Sequence, residues 1–405
     1  MKKTIAAATV AGPTVLLGRA SAYSLTEIEK HLQSNKGISG VTKNDLPTPA
    51  LLVDLDRLEA NIRRMADHAK NAGVQLRPHA KTHKCVEIAR RQLEAGAIGA
   101  CTATIREAEA LSFEGIGGLL ITSEMVGPNK MERLIRLTKQ RPETMSVVDN
   151  PWHAEQLSEA AQAAKVQLNV MVDIDPMGRR TGTEPGKKAV ELAKKIDQLP
   201  NLKLRGVHGY SGASSHVEGF EARKEHSAKV MGPVIDSFRQ MQRDGLPAEI
   251  MSGASTGTYN IDPALGGMTE LQVGSYVFMD VDYRKIGGQS GGVYEDFQPA
   301  LTVLATVISK NYDDRATTDA GLKAFATDRK FGPEVVGVQG VDYRFGGDEH
   351  GILQWEHPSR EIRLGEKLEM LVPHCDPNVN LYDRIFCVRG DQVREVWKVT
   401  ARGHV

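Results

Sequence analysis

The sequence has no excess charge of either sign. Its 405 residues include 51 Lys and Arg and 51 Asp and Glu. Proteins that bind nucleic acid or an anionic membrane surface usually carry clustered positive charge, so the balance does not suggest either partner. A small-molecule enzyme is compatible with it. A chain of this length is expected to fold as two domains.

Cysteines and long apolar runs are also scarce. The four cysteines, Cys85, Cys101, Cys375 and Cys387, are too few and too scattered for a disulfide framework or a cysteine-rich zinc site. Beyond the N-terminus no apolar stretch is long enough to cross a bilayer. No internal repeat or low-complexity segment is visible either.

The N-terminus has the order of parts that is typical of a signal peptide. It opens with Lys2 and Lys3, continues through a short apolar segment and reaches small residues, Ala-Ser-Ala, at 20–22. We therefore predict a signal peptide over residues 1–22 and export to the periplasm. The alternative is an N-terminal tail on a cytoplasmic protein.

Short apolar runs alternate with amphipathic segments between residues 75 and 280. In the amphipathic segments apolar residues recur at three and four positions, which predicts helices. Eight strand–helix alternations predict an α/β fold, a (β/α)8 TIM-type barrel over residues 54–290. An open doubly wound sheet is the rival fold, but the sequence lacks the Gly-rich phosphate loop that usually follows its first strand. The predicted strands are VQLRPHAK, IGACTAT, GLLITS, MSVVDN, LNVMVDIDP, LRGVHGY, AEIMSGAST and ELQVGSY.

The pattern changes after about residue 290. The segments PALTVLATVISK, GILQWE, LEMLVPHCD, DRIFCVRG and QVREVWKVTARG are short, rich in β-forming residues and separated by turn residues. They predict a second, mainly β domain of antiparallel strands, formed by residues 291–405 together with 23–53. The segment ALLVDLD at 50–56 could pair with either domain.

Polar residues that could carry chemistry stand at the ends of the predicted barrel strands, where such barrels place their working groups. Lys81 lies in LRPHAKTHK, Arg179 and Arg180 in DPMGRRTG, and Tyr210 and His216 in HGYSGASSH. Each has a structural alternative: a solvated lysine, surface arginines, a histidine that caps a helix.

Two loops rich in Gly, Ser and Thr follow the last two predicted strands, at 252–260 and 274–276. Barrels frequently bind phosphate at this point through backbone N–H groups, although such a loop can also be an ordinary turn. A phosphate site facing a lysine that can form an imine is what pyridoxal phosphate requires. We therefore expect this cofactor, with Lys81 as its lysine.

Six motifs resemble the family of D-threonine aldolase and D-serine dehydratase, which belongs to the alanine-racemase-like, fold-type III enzymes of pyridoxal phosphate. They occur in the family's order and span nearly everything after residue 45. The motifs are RPHAKTHK, Arg180-Thr-Gly, TELQVGSYVFMD, DAGLK, GDEHG and HCDPNVNLYD.

The resemblance implies that Lys81 binds the cofactor covalently and that Arg180 steadies its phenolic oxygen. One position departs from the family, because Ala103 stands where the aldolases tend to have glutamine. The residues implied around the phosphate and ring are Tyr210, Ser255, Thr256, Gly257, Gly274, Ser275 and Tyr276.

His374 and Asp376 are two residues apart in HCDP. In a β-strand alternate side chains share a face, so the pair could hold a divalent ion while Cys375 faces the other way. Oxygen and imidazole ligands suit Mn²⁺ best here, with Mg²⁺, Ca²⁺ and Zn²⁺ as alternatives. The alternative is that the two side chains form a structural hydrogen-bonded pair that binds no metal. The resemblance adds that the aldolases carry His-x-Asp at this point and the dehydratases His-x-Cys.

The activity implied by the resemblance is a metal-dependent cleavage of D-threonine and related D-β-hydroxy-α-amino acids to glycine and an aldehyde. His216 matches the family's candidate base. The alternatives are a D-serine or 3-hydroxy-D-aspartate dehydratase, giving a keto acid and ammonia, and a non-catalytic protein that binds pyridoxal phosphate. The resemblance also implies a homodimer, in which one subunit's second domain completes its partner's barrel mouth.

Overall fold

The computed structural model describes residues 41–403, together with Thr26 and Lys30. The predicted signal peptide, residues 1–22, lies outside the described residues. Within the described part of the chain, no helix combines the length and the apolar character needed to span a membrane.

The first regular elements are strand β1 (Ala50–Asp54) and helix α1 (Leu55–Ala72). The Asp54 side chain accepts a hydrogen bond from the Arg57 backbone N–H and so begins the helix, and Gly73 ends it with a φ of 68°. The apolar residues of α1 are spaced by three and four positions and are buried against the barrel: Leu55, Leu58, Ile62, Met65 and Ala69.

Eight parallel strands form the first sheet, and every predicted barrel run overlaps one of them. They are β2 (Gln75–Leu76), β3 (Ala100–Thr102), β4 (Leu119–Ile121), β5 (Met145–Val148), β6 (Leu168–Asp173), β7 (Leu202–Gly209), β8 (Ile250–Gly253) and β9 (Glu270–Leu271). The connecting helices are α2 (Val86–Glu94), α3 (Ile105–Phe113), α4 (Pro128–Gln140), α5 (Pro151–Ala164), α6 (Lys187–Gln198), α7 (Gly212–Ser215), α8 (Phe220–Arg243) and α9 (Val281–Lys285).

The sheet closes on itself. On one side, β2 pairs with β9. On the other side, β2 and the residues that follow it pair with the β3 segment, where the Ile98 N–H donates to the Leu76 carbonyl at 2.8 Å. The Cys101 N–H donates to the Pro78 carbonyl at 2.8 Å, and the Ala80 N–H donates to the Cys101 carbonyl at the same distance. The predicted TIM-type barrel is confirmed.

The second sheet has nine strands and confirms the predicted mainly β domain. Its further strands are β10 (Leu301–Tyr312), β11 (Arg315–Thr318), β12 (Glu334–Val335), β13 (Asp342–Phe345), β14 (Gly351–Gln354), β15 (Lys367–Leu371), β16 (Arg384–Arg389) and β17 (Gln392–Lys398), with helix α10 (Cys375–Val379) between β15 and β16. β1 also belongs to this sheet, antiparallel to β10 but parallel to β16, so the strands are not all antiparallel as the sequence suggested.

Direct hydrogen bonds hold the second domain over the barrel mouth. The backbone N–H groups of Val281 and Asp282 donate to the carbonyls of Val372 and Pro373, at 3.1 and 3.2 Å. These bonds place the segment after β15, which carries HCDP, beside the segment that follows the last barrel strand.

Candidate active site

Lys81 lies in the turn that follows β2, at the carboxyl end of the barrel, and its side chain is half-buried. It lines a cavity of about 290 Å³ at the barrel mouth. Gly274 lets the neighbouring loop approach this turn, because a Cβ at 274 would lie 2.5 Å from Thr82 Oγ1. The other residues that line the cavity are His79, Ala103, Thr122, Ser123, Arg180, Thr181, His208, Tyr210 and Gln272.

The second lysine of the motif, Lys84, has a different environment. Its Nζ lies 2.9 Å from Glu107 Oε1, and both side chains are buried. Glu107 also accepts a hydrogen bond from the Ala103 N–H at 2.7 Å, so the pair ties the Lys81 turn to the start of α3. Lys84 is thus a structural cation, and Lys81 is the lysine that faces the cavity.

The two histidines that flank Lys81 are buried in the turn. His79 Nε2 lies 3.0 Å from Thr122 Oγ1, and burial lowers the pKa of His79 well below its usual value. His83 Nδ1 accepts the Cys85 N–H at 3.1 Å, and burial lowers the pKa of His83 to about 4. Neutral rings therefore flank the lysine at physiological pH and do not compete with it for anions.

Arg180 and Lys81 approach the same aromatic ring. The Arg180 Cζ and the Lys81 Nζ each lie 5.4 Å from the centroid of the Tyr210 ring. Arg180 lines the cavity, whereas Arg179 does not, and the Arg179 backbone N–H is held by the Asp175 carboxylate at 3.0 Å. Of the arginine doublet, the structure directs Arg180 toward the lysine.

The loops after β8 and β9 contact each other, and the Tyr276 N–H donates to Thr256 Oγ1 at 3.0 Å. Gly257 packs against the backbone after β7, where a Cβ would lie 2.1 Å from the Ser215 carbonyl oxygen. Among residues 41–403, no acceptor is found for the backbone N–H groups of Thr256, Gly257 and Ser275. Such amides are free to bind an anion, which fits the phosphate site expected there.

Two residues expected around the cofactor have other partners. The Tyr276 hydroxyl accepts a hydrogen bond from Gln92 Nε2 at 3.0 Å, and its ring packs in the core against Phe297, so the side chain points away from the cavity. The Ser275 hydroxyl donates to Asp376 Oδ2 at 3.2 Å, toward the second domain. Ala103 does line the cavity, with only a methyl group where the family tends to have an amide.

His208 and Gln272, which line the cavity, and Asp173, which contacts His208, were not identified from the sequence. His208 Nδ1 lies 2.5 Å from Asp173 Oδ1, and His208 Nε2 lies 3.3 Å from Gln272 Oε1. Burial raises the pKa of Asp173, but His208 outweighs this effect and lowers it overall. The available signal was a polar residue near the end of an otherwise apolar strand, in VMVD, VHG and ELQ.

The metal motif differs from the sequence-based geometry. His374 is extended, but Cys375 begins the short helix α10, so HCDP is not a β-strand. The prediction that Cys375 faces away was also wrong, because its Sγ lies 3.4 Å from Asp376 Oδ2. Pro377 at the third helical position is compatible with this first turn, whose amides need no partner within the helix.

His374 and Asp376 nevertheless face one another, with His374 Nε2 3.9 Å from Asp376 Oδ2. The His374 Nδ1 is hydrogen-bonded to Asp328 Oδ2 at 2.6 Å. A carboxylate only accepts, so Nδ1 carries the proton of this hydrogen bond and Nε2 is the nitrogen left to bind a metal. Metal-binding histidines are oriented in this way. Within the described residues no cluster of three or more such ligands occurs, so the protein would supply two.

The barrel lysine and the metal motif meet within one chain. Lys81 Nζ lies 4.0 Å from Asp376 Oδ1. Burial raises the pKa of Asp376, but Lys81 and His374 outweigh it and hold the pKa below the usual value. The resemblance predicts that the second domain of a partner subunit completes the barrel mouth. In the structure, the HCDP segment of the same chain lies beside Lys81. The homodimer stays a prediction.

His216 follows α7 and is one-third exposed. Its Nδ1 lies 3.0 Å from Asp282 Oδ2, and its ring centroid is 4.9 Å from that of Tyr283. Because Nδ1 lies at ion-pair distance from this carboxylate, Nε2 is the nitrogen that remains to accept a proton.

Comparison with known proteins agrees with this arrangement. Residues 53–282 match the alanine racemase N-terminal domain, and residues 300–388 match a serine dehydratase domain. The solved D-threonine aldolase from Filomicrobium marinum superimposes with a TM-score of 0.86 and 39% identity, covering 90% of this chain and 98% of that one.

Three characterised relatives cover most of the chain. A 3-hydroxy-D-aspartate aldolase of Paracoccus denitrificans (strain Pd 1222) is 37% identical over 369 residues, which are 90% of this chain and 95% of the relative. A D-threonine aldolase of an Arthrobacter species is 38% identical over 88% of this chain and 93% of the relative. A D-threo-3-hydroxyaspartate dehydratase of Delftia sp. (strain HT23) is 32% identical over 70% of this chain and 74% of the relative.

Proposed function

The chain belongs to the alanine racemase-like family of pyridoxal phosphate enzymes, and from that premise we propose that it is a metal-dependent lyase that cleaves D-threonine and related D-β-hydroxy-α-amino acids to glycine and an aldehyde. The observation that carries the proposal is the 4.0 Å separation of Lys81 Nζ and Asp376 Oδ1. A β-hydroxy amino acid carries its amine and its hydroxyl on adjacent carbons. Such a substrate therefore needs a site for its amine, here at Lys81, beside a site for its hydroxyl, here at Asp376.

The residues present fit pyridoxal phosphate. Lys81 is the amine that can bind it covalently, and Arg180 offers a guanidinium beside that amine. The amides of Thr256, Gly257 and Ser275, for which residues 41–403 provide no acceptor, suit its phosphate. Bound there, the cofactor supplies the electron sink for the electron pair of the broken Cα–Cβ bond.

His374 and Asp376 are the proposed ligands of a divalent ion, Mn²⁺ in the first instance. Their facing atoms are 3.9 Å apart, which is within the sum of two metal–ligand bonds of roughly 2.1 Å each. The ion would orient the substrate's β-hydroxyl. His216 would take the proton of that hydroxyl through Nε2, while Asp282 holds its ring.

The products formed from D-threonine test the reaction type. Retro-aldol cleavage gives glycine and acetaldehyde, which gas chromatography and amino-acid analysis detect. Dehydration, favoured by the likeness to the Delftia enzyme, would instead give 2-oxobutyrate and ammonia. If neither kind of product forms from D-threonine or from 3-hydroxy-D-aspartate while the purified protein is yellow with bound cofactor, the alternative of a non-catalytic protein that binds pyridoxal phosphate is supported.

Two variants test the ligands of the cofactor and the metal separately. Lys81→Ala should lose the bound cofactor on dialysis, whereas Lys84→Ala should keep it. His374→Ala should keep the cofactor but lose Mn²⁺ and activity, and chelation of the wild type should abolish activity until Mn²⁺ is restored. Full turnover of metal-free enzyme would remove the proposed role of the ion.

Stereochemistry tests the placement of the substrate between the domains. The site fixes which face of Cα presents the breaking bond, so we expect strict selectivity for the D form. Control at Cβ should be looser, because an ion can hold the hydroxyl while the other two substituents exchange places. D-threonine and D-allo-threonine should both be cleaved. Comparable turnover of L-threonine would contradict the assignment.

A further inference from the structure

A chain of charged side chains joins the two histidines of the site. From the metal side, His374 Nδ1 lies 2.6 Å from Asp328 Oδ2, which is 3.2 Å from Arg329 Nη1. From the barrel side, His216 Nδ1 lies 3.0 Å from Asp282 Oδ2, which is 2.9 Å from Arg329 Nη2. Arg329 thus stands midway between the two histidines.

Each carboxylate uses a single oxygen for both of its contacts. Asp328 Oδ2 meets His374 and Arg329, and Asp282 Oδ2 meets His216 and Arg329. The oxygen that orients each histidine is therefore the oxygen that the guanidinium attracts. The two terminal nitrogens of the arginine's planar fork divide between the two aspartates at ion-pair distances.

The side chains that join the two histidines come from distant parts of the sequence. His216 follows β7, and Asp282 lies in α9. Asp328 and Arg329 lie in the loop between β11 and β12, and His374 follows β15. Arg329 is about one-quarter exposed, so water screens it only in part. Burial raises the pKa of Asp282, but His216 and Arg329 lower it further, so this carboxylate stays charged.

We propose that Arg329 is a positioning residue that fixes both the metal ligand His374 and the base His216, by holding the carboxylate that orients each ring. This inference rests on the proposed function, because it assigns those two roles to the histidines. Arg329 acts through Asp328 on one side and through Asp282 on the other, and it touches neither histidine.

The metal side is measured by binding rather than by turnover. Loss of a residue that orients a metal-binding histidine typically weakens affinity about 10- to 100-fold, which is the effect we expect for Asp328→Asn. Arg329→Gln acts one contact further away, so about a 3- to 10-fold loss is expected. Free Mn²⁺ would be titrated by electron paramagnetic resonance against the protein loaded with pyridoxal phosphate.

The base side is measured by kcat for D-threonine at saturating Mn²⁺, where weaker metal binding no longer matters. Asp282→Asn and Arg329→Gln should both lower kcat. Because Arg329 acts through the aspartates, Arg329→Gln should add little to the effect of either aspartate substitution. Asp328→Asn with Arg329→Gln should bind Mn²⁺ about as weakly as Asp328→Asn alone, and Asp282→Asn with Arg329→Gln should have about the kcat of Asp282→Asn.

Lys330→Gln is the matched control, because it removes the same charge from the next position, whose side chain is exposed. It should leave both Mn²⁺ affinity and kcat unchanged. Arg329→Lys keeps the charge without the fork and should recover part of each loss; it also replaces Arg329→Gln if that variant fails to fold.

The outcomes separate this inference from the function on which it rests. If Arg329→Gln matches Lys330→Gln in both measurements, or adds fully to both aspartate substitutions, Arg329 has no positioning role. If His374→Ala binds Mn²⁺ as tightly as the wild type, the metal site itself is wrong and the proposed function fails first.

Discussion

The buried ion pair between Arg77 and Glu270 offers a sharp test of what holds the barrel closed. Arg77 Nε and Nη2 lie 2.9 and 3.0 Å from the two carboxylate oxygens, a two-point contact between side chains that are 6% and 3% exposed. Arg77 Nη1 also donates to the Gly118 carbonyl, just before β4. The pair therefore joins the segments of β2, β9 and β4.

Glu270→Gln keeps the shape of the side chain but removes its charge. Burial lowers the pKa of Arg77, but Glu270 outweighs it and raises the pKa overall, so the guanidinium stays charged. Breaking a buried pair in this way typically costs about 3–5 kcal/mol. For a unit of about 230 residues, that loss of unfolding free energy corresponds to a fall in Tm of roughly 6–10 °C. Replacing both partners, Arg77→Met with Glu270→Leu, should cost much less, since no charge is left buried.

The assay is thermal unfolding of the cofactor-loaded protein, followed by circular dichroism. Glu132→Gln is the control, because its pair with Arg136 at 2.9 Å is exposed on α4. Such a pair contributes at most about 0.5 kcal/mol. If Glu270→Gln lowers Tm no more than Glu132→Gln does, the buried pair does not hold the barrel. A double substitution as damaging as Glu270→Gln would refute the argument from an uncompensated charge.

Three further predictions follow from buried positions. Burial lowers the pKa of His83 to about 4, below an unfolded value near 6.5. Between pH 7 and pH 4.5 the free energy of unfolding of the wild type should therefore fall by about 2.5 kcal/mol more than that of His83→Gln, as measured by urea unfolding at both pH values. Gly257→Ala places a Cβ 2.1 Å from the Ser215 oxygen, so it should destabilise the fold by about 1–3 kcal/mol and weaken retention of the cofactor on dialysis. Lys84→Met strands the Glu107 carboxylate and should cost about 3–5 kcal/mol, whereas the exposed Lys187→Met should leave Tm unchanged.

The barrel was predictable from the sequence because the signal is local. In a parallel sheet covered by helices the strands are buried on both faces, so they are short continuous apolar runs, as in β6, where all six residues are buried. The connecting helices carry apolar residues at three and four positions, as α1 does. Both periodicities are written in neighbouring residues, and the eight strands lie where the runs are.

The site was predictable only in part. Lys81 and Arg180 were expected because barrel chemistry gathers at strand ends, and the structure places both beside Tyr210. His208 and Gln272 were missed, since a polar residue inside an apolar strand is equally compatible with a structural role. Their hydrogen bond joins strands that are far apart in sequence.

The sequence by itself determined the alternation of elements, the lysine at the end of the first barrel strand and the presence of HCDP in a second domain. Only the tertiary structure decided that Lys84 is neutralised by Glu107, that HCDP starts a helix, and that Arg329 lies between two aspartates. The physical reason is distance along the chain. Periodicity and turn chemistry act over a few residues, whereas the Lys81–Asp376 contact of 4.0 Å exists only after the closed barrel and the second sheet pack together.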